Sequence, residues 1–159
     1  EKVRFAGAAD AEPAPGVIEA IRSAEMVLLA PSNPVTSIGP ILAVPGVRDA
    51  LQSTRARVAA VSPIVAGEAV AGPAGILMAS QGWPVSIAGV AEAYHDFLDL
   101  LVVDIRDTQA AAKLEQTGMR VHCAKTVMRT SEDKAALAES VLQVVRRVAA
   151  KTQAASEPS

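Results

Sequence analysis

Four residues with hydrogen-bonding side chains, Ser32, Asn33, Thr36 and Ser37, follow directly on the apolar run 26–30 in the stretch "MVLLAPSNPVTSIGPILAV". Hydroxyls and an amide at this density, just past a strand-like segment, are suited to holding phosphate oxygens without a lysine. Pro31 and Pro34 pre-set the backbone around them and lower the entropy lost when such a loop is ordered. Ser37 reads as the N-cap of a short helix over 38–43, whose first-turn amides would add to the donor set. Pro40 falls within that first turn, where a missing amide hydrogen costs little. Turn chemistry uses the same residue types, so spacing alone leaves two readings open: an anion cradle, or an ordinary Asx or Ser/Thr turn followed by a helix cap.

A second segment repeats the pattern. Ser62 and Pro63 follow the run 57–61, and Gly67, Gly72 and Gly75 in "IVAGEAVAGPAG" permit close backbone approach. Gly72 and Pro73 read as the opening of the next helix. Adjacent parallel strands would turn both loops towards the crevice beyond their carboxyl ends, where ligands of open α/β sheets collect. Taken alone, the second loop reads equally well as a connection with no ligand.

The remaining chemically capable residues read as structural. Asp104 and Asp107 end a strand and open a helix at Thr108, with Asp107 as its N-cap. His95 lies opposite an apolar face made by Val90, Tyr94, Phe97 and Leu98, which places it on the surface. His122 and Cys123 are neighbours on one strand, so they point to opposite faces and cannot act as a pair. Cys123 then reads as a small buried hydrophobe, and Trp83, ahead of Pro84, as a packing anchor rather than a stacking platform. No Walker lysine pattern, G-x-G-x-x-G or G-x-S-x-G occurs.

Positioning these residues requires a sheet. Short β-rich runs at 3–5, 26–30, 57–61, 100–105 and 120–124 alternate with helical spacing at 15–23, 47–53, 72–81, 86–98 and 108–117. This is the βαβ rhythm of an α/β domain with a mostly parallel sheet. The last helix opens at Thr130 or Ser131 with Glu132 and Asp133 in its first turn, and carries the stripe Leu137, Val141, Val144, Val145 and Val148. Residues 152–159 lack apolar periodicity and read as a frayed tail on a unit spanning 1–151.

The chain has 159 residues, the size of one domain, and a net charge of −2. With a pI of about 5.7 it carries no broad positive field for nucleic acid or an anionic membrane surface. Its one cysteine excludes an intramolecular disulfide and makes the cytoplasm the default compartment. It opens with Glu1, Lys2 and Val3, as a processed or shortened chain would.

"AEMVLLAPSNPVTSIGPILAVPGVRDAL", "VAAVSPIVAGEAVAGPAGILM" and "GVAEAYHDFLDLLVVDIRD" together resemble the carboxyl-terminal half of the 2-phospho-L-lactate transferase family of coenzyme F(420) biosynthesis. The resemblance implies a Rossmann-like three-layer sandwich with helices on both faces of the sheet. It implies transfer of a phospholactyl-type group, phospholactyl or phosphoenolpyruvyl, from a guanosine diphospho-linked donor. The acceptor would be the ribitol hydroxyl of a hydroxy-deazariboflavin, with release of GMP and help from Mg²⁺. It assigns donor binding to Ser32, Asn33, Pro34, Thr36 and Ser37, with Ser62 and Pro63 beside them, and leaves the catalytic residues unassigned; a homodimer is one assembly open to the chain, whose oligomeric state the sequence does not fix.

Two departures qualify what the resemblance implies. The opening strand, glycine-rich turn and metal-holding acidic residues of the family are not in this sequence, so the Mg²⁺ ligands are expected mainly in an amino-terminal half. Glu68 and Ala71 stand near positions where the family often has basic residues, which weakens a phosphate contact from that loop. The gluconeogenesis-factor family, non-catalytic proteins that bind sugar nucleotides, resembles the chain less well, because its corresponding loop reads as glycine and serine rather than PSNP.

Overall fold

The structure is a computed structural model describing residues 3–156, with side chains described as far as Val148. The strands are β1 (Met26–Leu29), β2 (Arg57–Val61), β3 (Ile64–Val65), β4 (Glu68–Ala69), β5 (Leu100–Asp104) and β6 (Val121–Ala124). The helices are α1 (Val17–Ser23), α2 (Gly39–Leu42), α3 (Val47–Ser53), α4 (Ala74–Ser80), α5 (Ile87–Ala93), α6 (Thr108–Glu115) and α7 (Ser131–Ser156). Among the described residues, β1, β2, β5 and β6 form a parallel sheet in the order β1-β2-β5-β6, and β3 and β4 form a small antiparallel hairpin.

Both sheet faces are covered, which is why β2 and β5 read as continuous apolar runs rather than alternating ones. One face, with Leu29, Val58, Ala60, Leu101 and Val103, packs against Val47 and Leu51 of α3, Val90 of α5 and Ala111 of α6. The other, with Ala59, Val61, Leu100 and Val102, takes Leu137, Val141 and Val145 of α7. Burying each of those three α7 side chains contributes roughly 1.5–3 kcal/mol. The cover over β1 is incomplete: Met26 packs against this cluster, but Leu28, opposite Ala59 in the register, remains 44% exposed. Among the described residues β1 pairs only with β2, so its outer edge is free.

Several expected elements differ. No strand forms over residues 3–5, which run irregularly into a 3₁₀ turn at Ala8–Asp10. Phe5 instead lies against Gly39, so closely that a Cβ there would sit 2.8 Å from its ring. The helix expected over 86–98 ends at Ala93, where the Arg48 guanidinium donates to the Ala93 carbonyl at 3.3 Å. Tyr94, Phe97 and Leu98 are still buried, carried by turns rather than by a helix face. The final helix continues past Lys151 to Ser156, so the loss of apolar periodicity does not end the helical backbone, and 157–159 lie outside the described residues.

Candidate functional site

The loop after β1 is organised by Asn33. Its side-chain carbonyl accepts from the amides of Val35 at 2.9 Å and Thr36 at 3.3 Å, and its main-chain carbonyl accepts from those of Ser37 and Ile38, both at 3.0 Å. The last bond spans five residues and winds Pro34–Ile38 into a single π turn that runs into α2. The cap is therefore Asn33 and not Ser37, and the amides of residues 35 to 38 are engaged internally. Pro34 and Val35 are buried beneath the turn. The Ser32, Thr36 and Ser37 hydroxyls and the Asn33 NH₂ have no partner among the described residues, which leaves side chains, not helix-terminal amides, as the donors.

These groups line a cleft of about 410 Å³ over the carboxyl ends of β1 and β2. Pro31, Ser32, Asn33, Thr36 and Ser37 come from the loop after β1, Ser62 and Pro63 from the loop after β2, and Gly72, Pro73 and Ala74 from the approach to α4. The two Ser and Pro loops do share one crevice, as parallel pairing of β1 and β2 requires. Ser62 forms part of the floor rather than a ready donor. Its side chain is 1% exposed, donating to the Ile64 carbonyl at 2.9 Å and accepting from the Ile64 amide at 3.1 Å.

A third wall comes from the connection between β6 and α7, which contributes Thr126, Val127 and Met128. Sequence reasoning missed it, although its place after a strand carboxyl end was a usable signal. The connection turns back across the end of β5 because the Asp104 carboxylate accepts from the Thr126 amide at 3.0 Å and from its hydroxyl at 3.1 Å. Asp104 also accepts from the Arg106 amide at 3.1 Å and from its guanidinium at 2.7 Å. Burial pushes the Asp104 pKa up, but the Arg106 and Thr126 donors outweigh it and hold the value at about 2.

Asp107 precedes α6, but its carboxylate does not cap that helix. Both of its oxygens accept from the Ala66 amide at 3.0 Å. Ala66 has φ +52° and Gly67 φ +80°, so this contact pins the strained turn between β3 and β4, which the sequence presented as an open loop. His95 is exposed and His122 faces α7, where its Nε2 lies 3.0 Å from the Ser140 hydroxyl. Burial, with the charge of Arg147, lowers the His122 pKa. Cys123, half-buried, packs into the opposite core, so the two do point apart. Trp83 is half-buried against the core, as an anchor would be.

Among the described residues no group of three or more His, Cys, Asp or Glu side chains could hold a metal ion, and the Asp104 and Asp107 carboxylates are both engaged. The residues described do not fit a Mg²⁺ site. Within the same residues, no helix is long and apolar enough to cross a membrane. The cleft lining holds no carboxylate, histidine or lysine. What it can do is bind and orient an anion through neutral donors.

The chain matches the family described as "2-phospho-L-lactate transferase CofD" over residues 1–148. It is 48% identical over 131 residues to the 2-phospho-L-lactate transferase of Methanothermobacter thermautotrophicus, covering 82% of this chain and 42% of that protein. It is 45% identical over 140 residues to the 2-phospho-L-lactate transferase of Methanosarcina barkeri, covering 88% of this chain and 45% of that protein. The chain thus spans less than half the length of these curated relatives. Its fold resembles that of protein BH3568 from Bacillus halodurans, with a TM-score of 0.57 at 20% identity over 84% of this chain and 48% of that one. A second crystal structure of BH3568, described as a member of the upf0052 family, gives a TM-score of 0.51 at 23% identity over 81% of this chain and 47% of that one. At such identity the likeness concerns the fold. The family match carries more: the chain belongs to the 2-phospho-L-lactate transferase family.

Proposed function

We propose that this chain forms the donor-phosphate part of an enzyme that transfers a phospholactyl-type group, phospholactyl or phosphoenolpyruvyl, from a guanosine diphospho-linked donor to the ribitol hydroxyl of a hydroxy-deazariboflavin. The ribitol oxygen forms the new P–O bond, the bond between that phosphorus and the GMP phosphate breaks, GMP departs with the electron pair, and the hydroxyl proton is released. The transition state spreads charge over the equatorial phosphoryl oxygens, so catalysis rests on positioning and charge stabilisation. The supporting observation is the neutral cleft, where the Ser32, Thr36 and Ser37 hydroxyls and the Asn33 NH₂ are unengaged among the described residues, beside the ends of β1 and β2. The Mg²⁺ that the family implies finds no ligand set among the described residues, and the reading assigns its ligands outside them.

Asn33→Ala tests the reading, because Asn33 both shapes the turn and faces the cleft. In the full-length protein it is expected to weaken GDP binding by about tenfold, the effect of losing one hydrogen bond to a charged group. Thermal shift provides a second arm, since a ligand at about 100 times its Kd stabilises by roughly 2.7 kcal/mol. Guanosine nucleotides should raise Tm and UDP-sugars should not. Preference for UDP-sugars, or GDP binding indifferent to Asn33→Ala, would overturn the proposal.

A further inference from the structure

A second hollow, of about 500 Å³, adjoins the neutral cleft and shares Val70 and Val127 with it. The residues between β6 and α7 divide the two: Thr126 and Met128 line the neutral cleft, whereas Lys125 and Arg129 line the second hollow together with Arg106. Arg106 is neutralised by Asp104, to which its guanidinium donates at 2.7 Å. Lys125 and Arg129 have no salt-bridge partner among the described residues, and Glu68, on the facing hairpin, is the other carboxylate in the lining. At the start of α7, Asp133 attracts Lys125 through space without forming a salt bridge to it, and its hydrogen bonds go to the main chain. Asp133 accepts from the amides of Arg129 at 2.8 Å and Thr130 at 3.0 Å, while the Thr130 hydroxyl accepts from the Asp133 amide at 3.2 Å. The helix entry is thus closed on itself, and the Lys125 and Arg129 cations remain available to a ligand.

We infer that Lys125 and Arg129 bind the carboxylate of the three-carbon acid at the end of the donor remote from its nucleoside, while the phosphates lie in the neutral cleft. The inference rests on the donor reading above. A guanosine diphospho-linked hydroxy acid has two anionic parts, its diphosphate and its carboxylate, and the nucleoside is neutral. Two hollows, one lined by neutral donors and one with cations in excess, meet at Val70 and Val127, where a single ligand can extend through both. A guanidinium and an ammonium suit a carboxylate. Glu68 weakens the field of the hollow without cancelling it.

The test uses the full-length protein and three probes: 2-phospholactate, isopropyl phosphate, which has a methyl in place of the carboxylate, and GDP. Isothermal titration of the wild type should give about tenfold tighter binding of 2-phospholactate than of isopropyl phosphate. The Lys125→Gln/Arg129→Gln double variant should abolish that difference and leave GDP affinity unchanged, and Glu68→Gln should enlarge it. Both cations are exposed, and a circular-dichroism melt verifies that the double variant folds. Equal binding of the two phosphates by wild type, persistence of the difference in the double variant, or an equal loss of GDP affinity would each overturn the inference. A wild type that discriminates between the phosphates through Lys125 and Arg129 yet binds no GDP would sink the guanosine reading and leave the carboxylate site standing.

Discussion

Beyond β1 the chain places hydroxyls and an amide that line a cleft with donors unengaged among the described residues, whereas at the end of β5 and three residues past it stand two carboxylates that accept from the protein itself. Asp104, 3% exposed, holds Thr126 and Arg106, and Asp107 holds Ala66. Both loops leave the carboxyl edge of one parallel sheet, where ligands of such folds collect. The difference between them is residual hydrogen-bonding capacity. Asn33 belongs to both kinds, since its carbonyl shapes the turn while its NH₂ has no partner among the described residues.

The comparison predicts opposite outcomes at the two strand ends. Asp104→Ala should have the largest effect on stability, about 2–3 kcal/mol by urea unfolding, because it leaves the buried Thr126 amide and hydroxyl without an acceptor, whereas the exposed Arg106 guanidinium stays hydrated. Acid should reveal the same group. Its folded pKa of about 2 lies below the unfolded value near 4, so its stabilisation is complete above about pH 4 and is lost as pH falls towards 2. Asp104→Asn should flatten the fall in stability across that window. Asp107→Ala should cost about 1–2 kcal/mol, mostly as faster amide exchange in the β3–β4 hairpin, because it leaves the Ala66 amide unpaired. Smallest should be Thr36→Ala and Ser37→Ala, within about 0.5 kcal/mol of wild type in stability, though each should weaken nucleotide binding severalfold in titration. If the hydroxyl variants lost as much stability as Asp104→Ala, or Asp104→Ala weakened GDP binding while leaving Tm unchanged, the contrast between the loops would fail.

How legible these features were in the sequence depended on how local their causes are. β2 and α3 emerge at the expected bounds, because a continuous apolar run and a 3.6-residue spacing are properties of the segments themselves. The π turn was hidden, because Gly39 and Pro40 drew the expected cap towards Ser37, and nothing in the residue order indicates that the Asn33 carbonyl serves both Ser37 and Ile38. The β3–β4 hairpin was hidden as well. Its strands are two residues each, and the positive φ at Ala66 depends on Asp107, a partner 41 positions away. Thr126 and Met128 reach the cleft only because Asp104 folds the connection back over β5, a long-range cause that no window of sequence contains. The end of α5 likewise depends on Arg48, which reaches it from α3 and pairs in fork geometry with Asp96 at 2.6 and 2.7 Å.

The free edge of β1 has a practical consequence. A parallel sheet with an unpaired outer strand, and an apolar residue such as Leu28 left open on one face beside it, offers backbone donors and acceptors to any extended segment that approaches. Handled by itself, this chain therefore has a built-in route to edge-to-edge association. Concentration-dependent elution in size-exclusion chromatography is the expected sign of such pairing, and constant elution would show the edge to be unused.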